Sequence, residues 1–350
     1  MPITLNGDTG IQTPMYNGSI TANAVTPSVN MKNRIINGAM VIDQRNAGAS
    51  ISAVDNAFAV DRWRIEDAAG SGSKGNIQQN QGSVTPPAGF TSYVGFTTTS
   101  AYSVGANDTY AFQQRLEGFN TADLDFGKST AKTVTLSFWV RSSLTGTFGG
   151  SLRNNAANRS YPFSYTISVA DTWEYKTITI AGDTTGTWVG ATNGLGILLS
   201  ISLGAGTNRS GTAGAWNANN NYSATGATSV VGTNGATFYI TGVQLEVGST
   251  ATSFDYRQYG TELLLCQRYY ETNNTNNGFW YTIRNDGISR GLLVFIVQKR
   301  AAPTVVLTAP AGSGSYTALA SSLGTSTNTC DFGTSSNFSS FGIYTASAEL

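Results

Sequence analysis

Between Val134 and Arg141 the side chains alternate without a break. Val134, Leu136, Phe138 and Val140 point one way, and Thr135, Ser137, Trp139 and Arg141 the other, the two-residue period of a strand with one buried face. The runs Tyr175–Ile180, Leu195–Leu203 and Thr237–Val247 also read as strands. The last changes phase: Phe238 and Ile240 sit at even positions, Val243, Leu245 and Val247 at odd ones. A bulge at Thr241–Gly242 would keep both sets on the core. Turn-rich stretches at 68–75 and 204–221 punctuate the runs, and Gly, Ser, Thr and Asn fill 151 of the 350 positions, a mixture suited to strands and turns. These features predict an all-β fold, an antiparallel jelly-roll-like β-sandwich over residues 32–257.

The flanks read differently. Residues 1–31 carry one charge, Asp8, and no helical period, which predicts an extended N-terminal arm ordered only when docked on a partner. Tyr259–Glu271 is the best helix candidate, with Leu263, Cys266, Gln267 and Tyr270 on one face. It would link the sandwich to a smaller C-terminal β domain, residues 258–350, with strands at Phe279–Arg284, Gly291–Val297 and Thr304–Thr308 and a hairpin turn at Asn277–Gly278. Residues 301–350 hold only Asp331 and Glu349 as charges, so their apolar faces would be better hidden against copies of the same chain, as in a homo-oligomer.

Composition removes several functions. There is no His, which excludes Ser-His-Asp triads, Cys-His pairs and most zinc sites. A formal net charge of +0 leaves no overall basic footprint for nucleic acid. Residues 1–10 lack the cationic and apolar regions of an export signal, and Leu195–Leu203, the longest apolar stretch, is too short for a bilayer, so no membrane insertion is expected. Cys266 and Cys330 read as buried thiols, with a single long-range disulfide as the alternative.

Glycoside hydrolysis needs two carboxylates about 5–10 Å apart. Asp123 and Asp125 would share a face if TADLDFG were a strand; Glu66, Asp67 and Asp183 are the other acids considered. A solvated turn is the plainer reading of Asp123 and Asp125, a calcium loop the next, so neither catalysis nor a cofactor or metal is expected. The glycines of residues 70–75 lack a Walker pattern and read as a loop. Aromatic residues carry more. Trp188, Trp216 and Tyr222 lie in charge-poor sequence, and Asn217, Asn219, Asn220 and Asn221 surround Trp216. Aromatic faces stack on sugar C–H surfaces while amides bond hydroxyls, so these residues form a candidate carbohydrate site. The competing reading places Trp188 and Trp216 in the core or an interface.

Asn33-Arg34-Ile35-Ile36-Asn37-Gly38-Ala39-Met40, Gln44-Arg45 and Asp61-Arg62-Trp63 together resemble a block that recurs in bacteriophage tail-fibre and related structural proteins. Gly242-Val243-Gln244-Leu245-Glu246-Val247-Gly248 with residues 251–257 resembles the closing strand of their carbohydrate-binding-module-like sandwich, and Cys266-Gln267-Arg268-Tyr269-Tyr270 the segment after it. The opening residues 3–11 are similar to fibre N-termini. The resemblance spans about 1–300, with no motif between 68 and 235. It implies a virion protein, made in the host bacterial cytoplasm and borne on the tail. Its arm would dock on a tail or adaptor protein, its sandwich would bind a host surface glycan, and it would assemble as an elongated homotrimer. A head fibre, neck or capsid decoration protein is the runner-up; a polysaccharide-degrading tailspike and a secreted lectin rank below it. Within the block, Asp61-Arg62-Trp63 is expected to form a partly buried ion pair beneath an aromatic, fixing the sandwich edge. Gln44 and Arg45 should hold a strand end. Glu246 should face away from the core toward an Arg or a cation. Arg34, Asn37, Gln244 and Arg268 read as structural.

Overall fold

The structure is a computed structural model. It describes residues 4–6, 10–12, 32–68, 72–273, 281–283, 288–308, 317–325, 327–333 and 343–350, with side chains for 32–68, 72–273, 294–306, 324–325 and 344–350. Near the N-terminus β1 (Thr4–Asn6) and β2 (Gly10–Gln12) pair antiparallel, where sequence predicts an extended arm. Residues 33–350 form a separate unit.

Alternating runs in that unit become β3 (Ile51–Ser52), β4 (Phe58–Val60), β5 (Trp63–Asp67), β6 (Gly75–Gln79), β7 (Val94–Thr98) and β8 (Thr109–Glu117). Next come β9 (Val134–Ser142), β10 (Gly146–Arg153), β11 (Ser160–Ile167), β12 (Glu174–Ile180) and β13 (Leu195–Ala205). A short parallel pair, β14 (Ser210–Gly211) and β15 (Ser223–Ala224), precedes β16 (Thr237–Val247). One antiparallel sheet has the order β11-β10-β13-β8-β5-β4, the other β12-β9-β16-β7-β6-β3. The chain passes repeatedly between the two, as in a jelly roll. Their inner faces make the core: Phe138 of β9 meets Tyr165 of β11 at 5.0 Å, and Phe148 of β10 meets Phe238 of β16 at 6.0 Å. Each such buried side chain contributes about 1.5–3 kcal/mol. The phase change in β16 is a bulge, with register lost between Thr241 and Gln244 and Gly242 at φ +63°; Phe238, Ile240, Val243 and Leu245 are all buried.

The helix α1 (Tyr259–Gln267) is shorter than the periodicity predicts, and Tyr270 falls in the next strand, β17 (Tyr270–Thr272). Its buried side chains are Glu262, Cys266 and Gln267, while Leu264 is exposed. The helix docks by polar bonds: Glu262 pairs with Arg257 and accepts the Asn37 N–H. Cys266 is a free, buried thiol, and burial pushes its pKa up. Beyond lie β18 (Tyr281–Ile283), β19 (Ile288–Val294), β20 (Thr304–Thr308), β21 (Thr317–Leu323), β22 (Thr327–Gly333) and β23 (Ile343–Ser347), in sheets ordered β17-β23-β20 and β18-β19-β22-β21. The expected turn at Asn277–Gly278 and the loop glycine Gly70 lie outside the described residues.

Asp61 and Arg62 do not pair with each other. Arg62 has φ +71°, which turns consecutive side chains to different partners. Asp61 accepts from Arg45 at 2.9 Å and from the Gln44 amide at 2.5 Å; Arg62 pairs with Glu349 and lies 3.4 Å over the Tyr269 ring. Arg45 also reaches Glu349, and Gln44 donates to the Tyr270 carbonyl. Arg268 grips Glu117 with two bonds of 2.9 Å. The block therefore fastens the C-terminal strands to the sandwich rather than closing a sandwich edge. Trp63 is fully buried, and its indole N–H donates to the Asn37 carbonyl. Asn37 in turn bridges Ile42 and the Asp61 carbonyl, and Arg34 holds Asp123 bidentately.

Burial outweighs Arg45 and raises the Asp61 carboxyl from 3.8 to about 6. Between those values the folded chain binds a proton that the unfolded chain has released, so stability falls as pH rises through this window, by up to about 3 kcal/mol. Thermal melts of the wild type from pH 4.5 to 7.5 should show this decline, and Asp61→Asn should flatten it. Parallel curves for the two proteins would contradict it. Asp183 acts oppositely: its hydrogen bonds, chiefly from Arg159, outweigh burial and lower its pKa, so its contribution is lost only below the usual carboxylate range.

Candidate functional site

The outward residues of β9 are the other half of the alternation that builds the core. Registration places Tyr175 beside Trp139, and Trp139 beside Thr241, in one row across the sheet. The Trp139 and Tyr175 rings lie 5.3 Å apart. Trp139 is partly exposed and Tyr175 is 43% exposed. A second row, Arg141, Tyr239, Gly95 and Gln78, follows it.

Two loops raise a wall beside the first row. Phe90, Phe254 and Tyr256 pack mutually, edge to face or tilted, with centroids 5.1, 5.5 and 4.9 Å apart. The wall and the Trp139–Tyr175 pair enclose a groove of about 430 Å³, lined also by Ser137, Thr252 and Ser253. Among the described residues none that lines it is charged. Gly242 has a direct part in this: a Cβ there would stand 2.6 Å from the Phe90 ring. The bulge glycine of β16 is thus the seat of the wall.

Gln244 and Glu246 hold the wall's second loop. Glu246 is buried and accepts the Thr252 N–H at 2.8 Å, its hydroxyl at 2.7 Å and the Gln244 amide at 2.8 Å; Gln244 accepts the Asp255 N–H at 2.8 Å. This corrects the expected Arg or cation partner: Glu246 does face away from the core, but its donors are Thr252 and Gln244, and the loop at 252–255 is tied down through both. Gln244 and Glu246 therefore position the groove.

The tryptophans expected to bind sugar are brought together elsewhere. Trp188 and Trp216 meet edge to face at 5.4 Å, both against Phe126, with Trp216 also against Tyr161 of β11. Both are partly buried against the core. The Trp216 indole donates to the Ala181 carbonyl at 2.6 Å, and that of Trp188 to Asp183 at 3.2 Å. The amides also turn inward. Asn217 Oδ1 accepts from Asn219 N–H and the Asn221 amide, Asn220 accepts from Arg153, and the Asn219 carbonyl accepts from Ser160. Tyr222 is buried, with Arg153 4.5 Å over its ring. The aromatic and amide chemistry expected of this loop is largely consumed in fastening it to β11, because Ser160 bridges to Asn217 there.

Four of the five candidate acids are tied to cations. The segment around Asp123 is a turn of 3-10 helix, not a strand; Asp123 binds Arg34, and Asp125 binds Lys128. Asp183 binds Arg159 at 2.5 Å, and Glu66 binds Arg64. Among the described residues no group of three or more Cys, Asp or Glu is placed to hold a metal ion, and no helix is long and apolar enough to cross a membrane.

No protein-family model matches the chain, and no curated protein does. Several solved structures are similar to it. A putative sugar-binding protein from Bacteroides thetaiotaomicron VPI-5482 is 14% identical with a TM-score of 0.36, over 62% of this chain and 100% of that one. A CBM4 protein is 16% identical with a TM-score of 0.32, over 61% of this chain and 98% of that one. The enzymatically active domain of bacteriophage CBA120 tailspike protein 4 is 12% identical with a TM-score of 0.34, over 62% of this chain. The match spans only 22% of that tailspike chain.

Proposed function

We propose that this chain is a non-catalytic virion protein, a tail fibre, that attaches to polysaccharide on the host cell surface through the groove on its outer sheet. The observation that carries the reading is the groove's lining: aromatic and hydroxyl-bearing residues, and no charged one among the described residues. Such a surface suits pyranose rings, whose C–H faces stack on aromatics while their hydroxyls exchange hydrogen bonds with Ser and Thr. The virion assignment is supported by the residue blocks 33–40, 44–45, 61–63 and 242–257. A homotrimer docked by residues 1–31 on a tail or adaptor protein would present three weak sites at once, and multivalency would supply avidity. Absence of catalysis is supported by four of the five candidate acids, Asp123, Asp125, Asp183 and Glu66, each engaged by a cation.

The test is a glycan array probed with the full chain, followed by titration of a bound oligosaccharide. Trp139→Ala should weaken binding about thirtyfold, the ~2 kcal/mol of one buried aromatic face, while Trp216→Ala should leave affinity within a few-fold. Retention of no glycan, or equal affinity in Trp139→Ala and the wild type, would overturn the reading.

A further inference from the structure

A second cavity, of about 180 Å³, lies behind the aromatic wall, and both cavities are lined by Phe90, Phe254 and Tyr256. Its character differs from that of the groove. Asp255, Arg257 and Glu262 line it. Arg257 is already committed: it donates to the Ile35 and Asn33 carbonyls and pairs with Glu262 at 3.2 Å. Glu262 also takes the Asn37 N–H. These two charges neutralise each other and hold the α1 entry against the N-terminal block. Asp255 is left with one acceptor contact, from the Asn33 N–H at 3.3 Å, and no described Lys or Arg pairs with it. Its carboxylate is the uncompensated charge of a cavity walled by aromatic rings.

Such a cavity favours a compact cation. An ammonium gains a charge-assisted hydrogen bond from a carboxylate and attraction from aromatic faces, and both strengthen in a partly desolvated pocket. An N-acetyl group supplies neither charge, and a sugar carboxylate or sulfate would be repelled. We propose that the groove and this cavity form one site in two compartments, and that the second selects glycans bearing a protonated amine, with Asp255 as the specificity-determining residue. This rests on the groove being a glycan site. It adds that the bound polysaccharide contains unacetylated amino sugars.

The probes are tetramers of glucosamine and of galactosamine, each beside its fully N-acetylated counterpart, with cellotetraose as an amine-free control, titrated calorimetrically into the full chain at pH 6. The expected result is that one amine tetramer binds at least tenfold tighter than its acetylated partner. Asp255→Asn keeps an acceptor for the Asn33 N–H and should erase that ratio. Equal affinity within each pair, or a preference for the acetylated sugar, overturns the inference. So does a ratio that survives Asp255→Asn. If only amine-free or acetylated tetramers bind, and Trp139→Ala abolishes them, the amine assignment falls while the groove stands. If no probe and no arrayed glycan binds, both fall.

Discussion

Substituting Lys299 by Met is expected to destabilise the folded chain by about 3–5 kcal/mol, the largest loss expected of any single residue here. Lys299 and Glu271 are both fully buried and pair directly. Lys299 also donates to the Gln267 carbonyl at 2.5 Å, while Glu271 takes the Tyr344 hydroxyl at 2.5 Å and the Ile296 N–H at 3.1 Å. Burial lowers the lysine's pKa, with Glu271 opposing, so this charge is held in place by Glu271. Removing the cation strands a buried carboxylate between the Tyr344 hydroxyl and the Ile296 N–H. The double substitution Lys299→Met with Glu271→Gln removes both charges and should recover most of the loss, because well-packed neutral groups replace a buried pair at little cost. Urea unfolding of the wild type, both single variants and the double variant measures the coupling. Additive losses would show that the two residues do not act as a pair.

Gly242→Ala is expected to damage the groove more than a neighbouring substitution of equal size. An Ala at φ +63° carries left-handed strain of about 1–2 kcal/mol, and its Cβ would stand 2.6 Å from the Phe90 ring. Relief requires Phe90 to move, and with it Phe254 and Tyr256, which pack against it. Ser137→Ala, on the groove floor, removes one hydroxyl and moves no ring. Affinity for a groove-bound oligosaccharide should therefore fall tenfold or more in Gly242→Ala and a few-fold in Ser137→Ala, by titration. Comparable losses in the two variants would mean that the wall does not depend on the bulge.

The bulge was legible because one sequence carries two apolar phases that a single core must absorb. Strands β12, β13 and β16 lie within two residues of where alternation puts them. The groove was not legible, although the alternation already assigned Trp139 to the outward face. What makes Trp139 a site is Tyr175 beside it and Phe90 across from it, and those neighbours follow from strand pairing and loop return. Glu246 was placed on the correct face with the wrong partners, since the loop that covers it folds back from residue 252. Trp216 misled for the reverse reason. Asn-rich company suggests exposed amides, yet an Asn-rich loop that returns to an edge strand spends those amides on itself. Asp61 and Arg62 find partners at Arg45 and Glu349, and no local pattern encodes a contact nearly 290 residues away.

The most direct test of the glycan groove is a crystal structure of the full chain soaked with the tightest oligosaccharide from the array. The expected result is sugar rings stacked on Trp139 and Tyr175, with hydroxyls bonded to Ser137 or Thr252. Sugar density at Trp188 and Trp216, with the outer sheet face empty, would contradict the assignment.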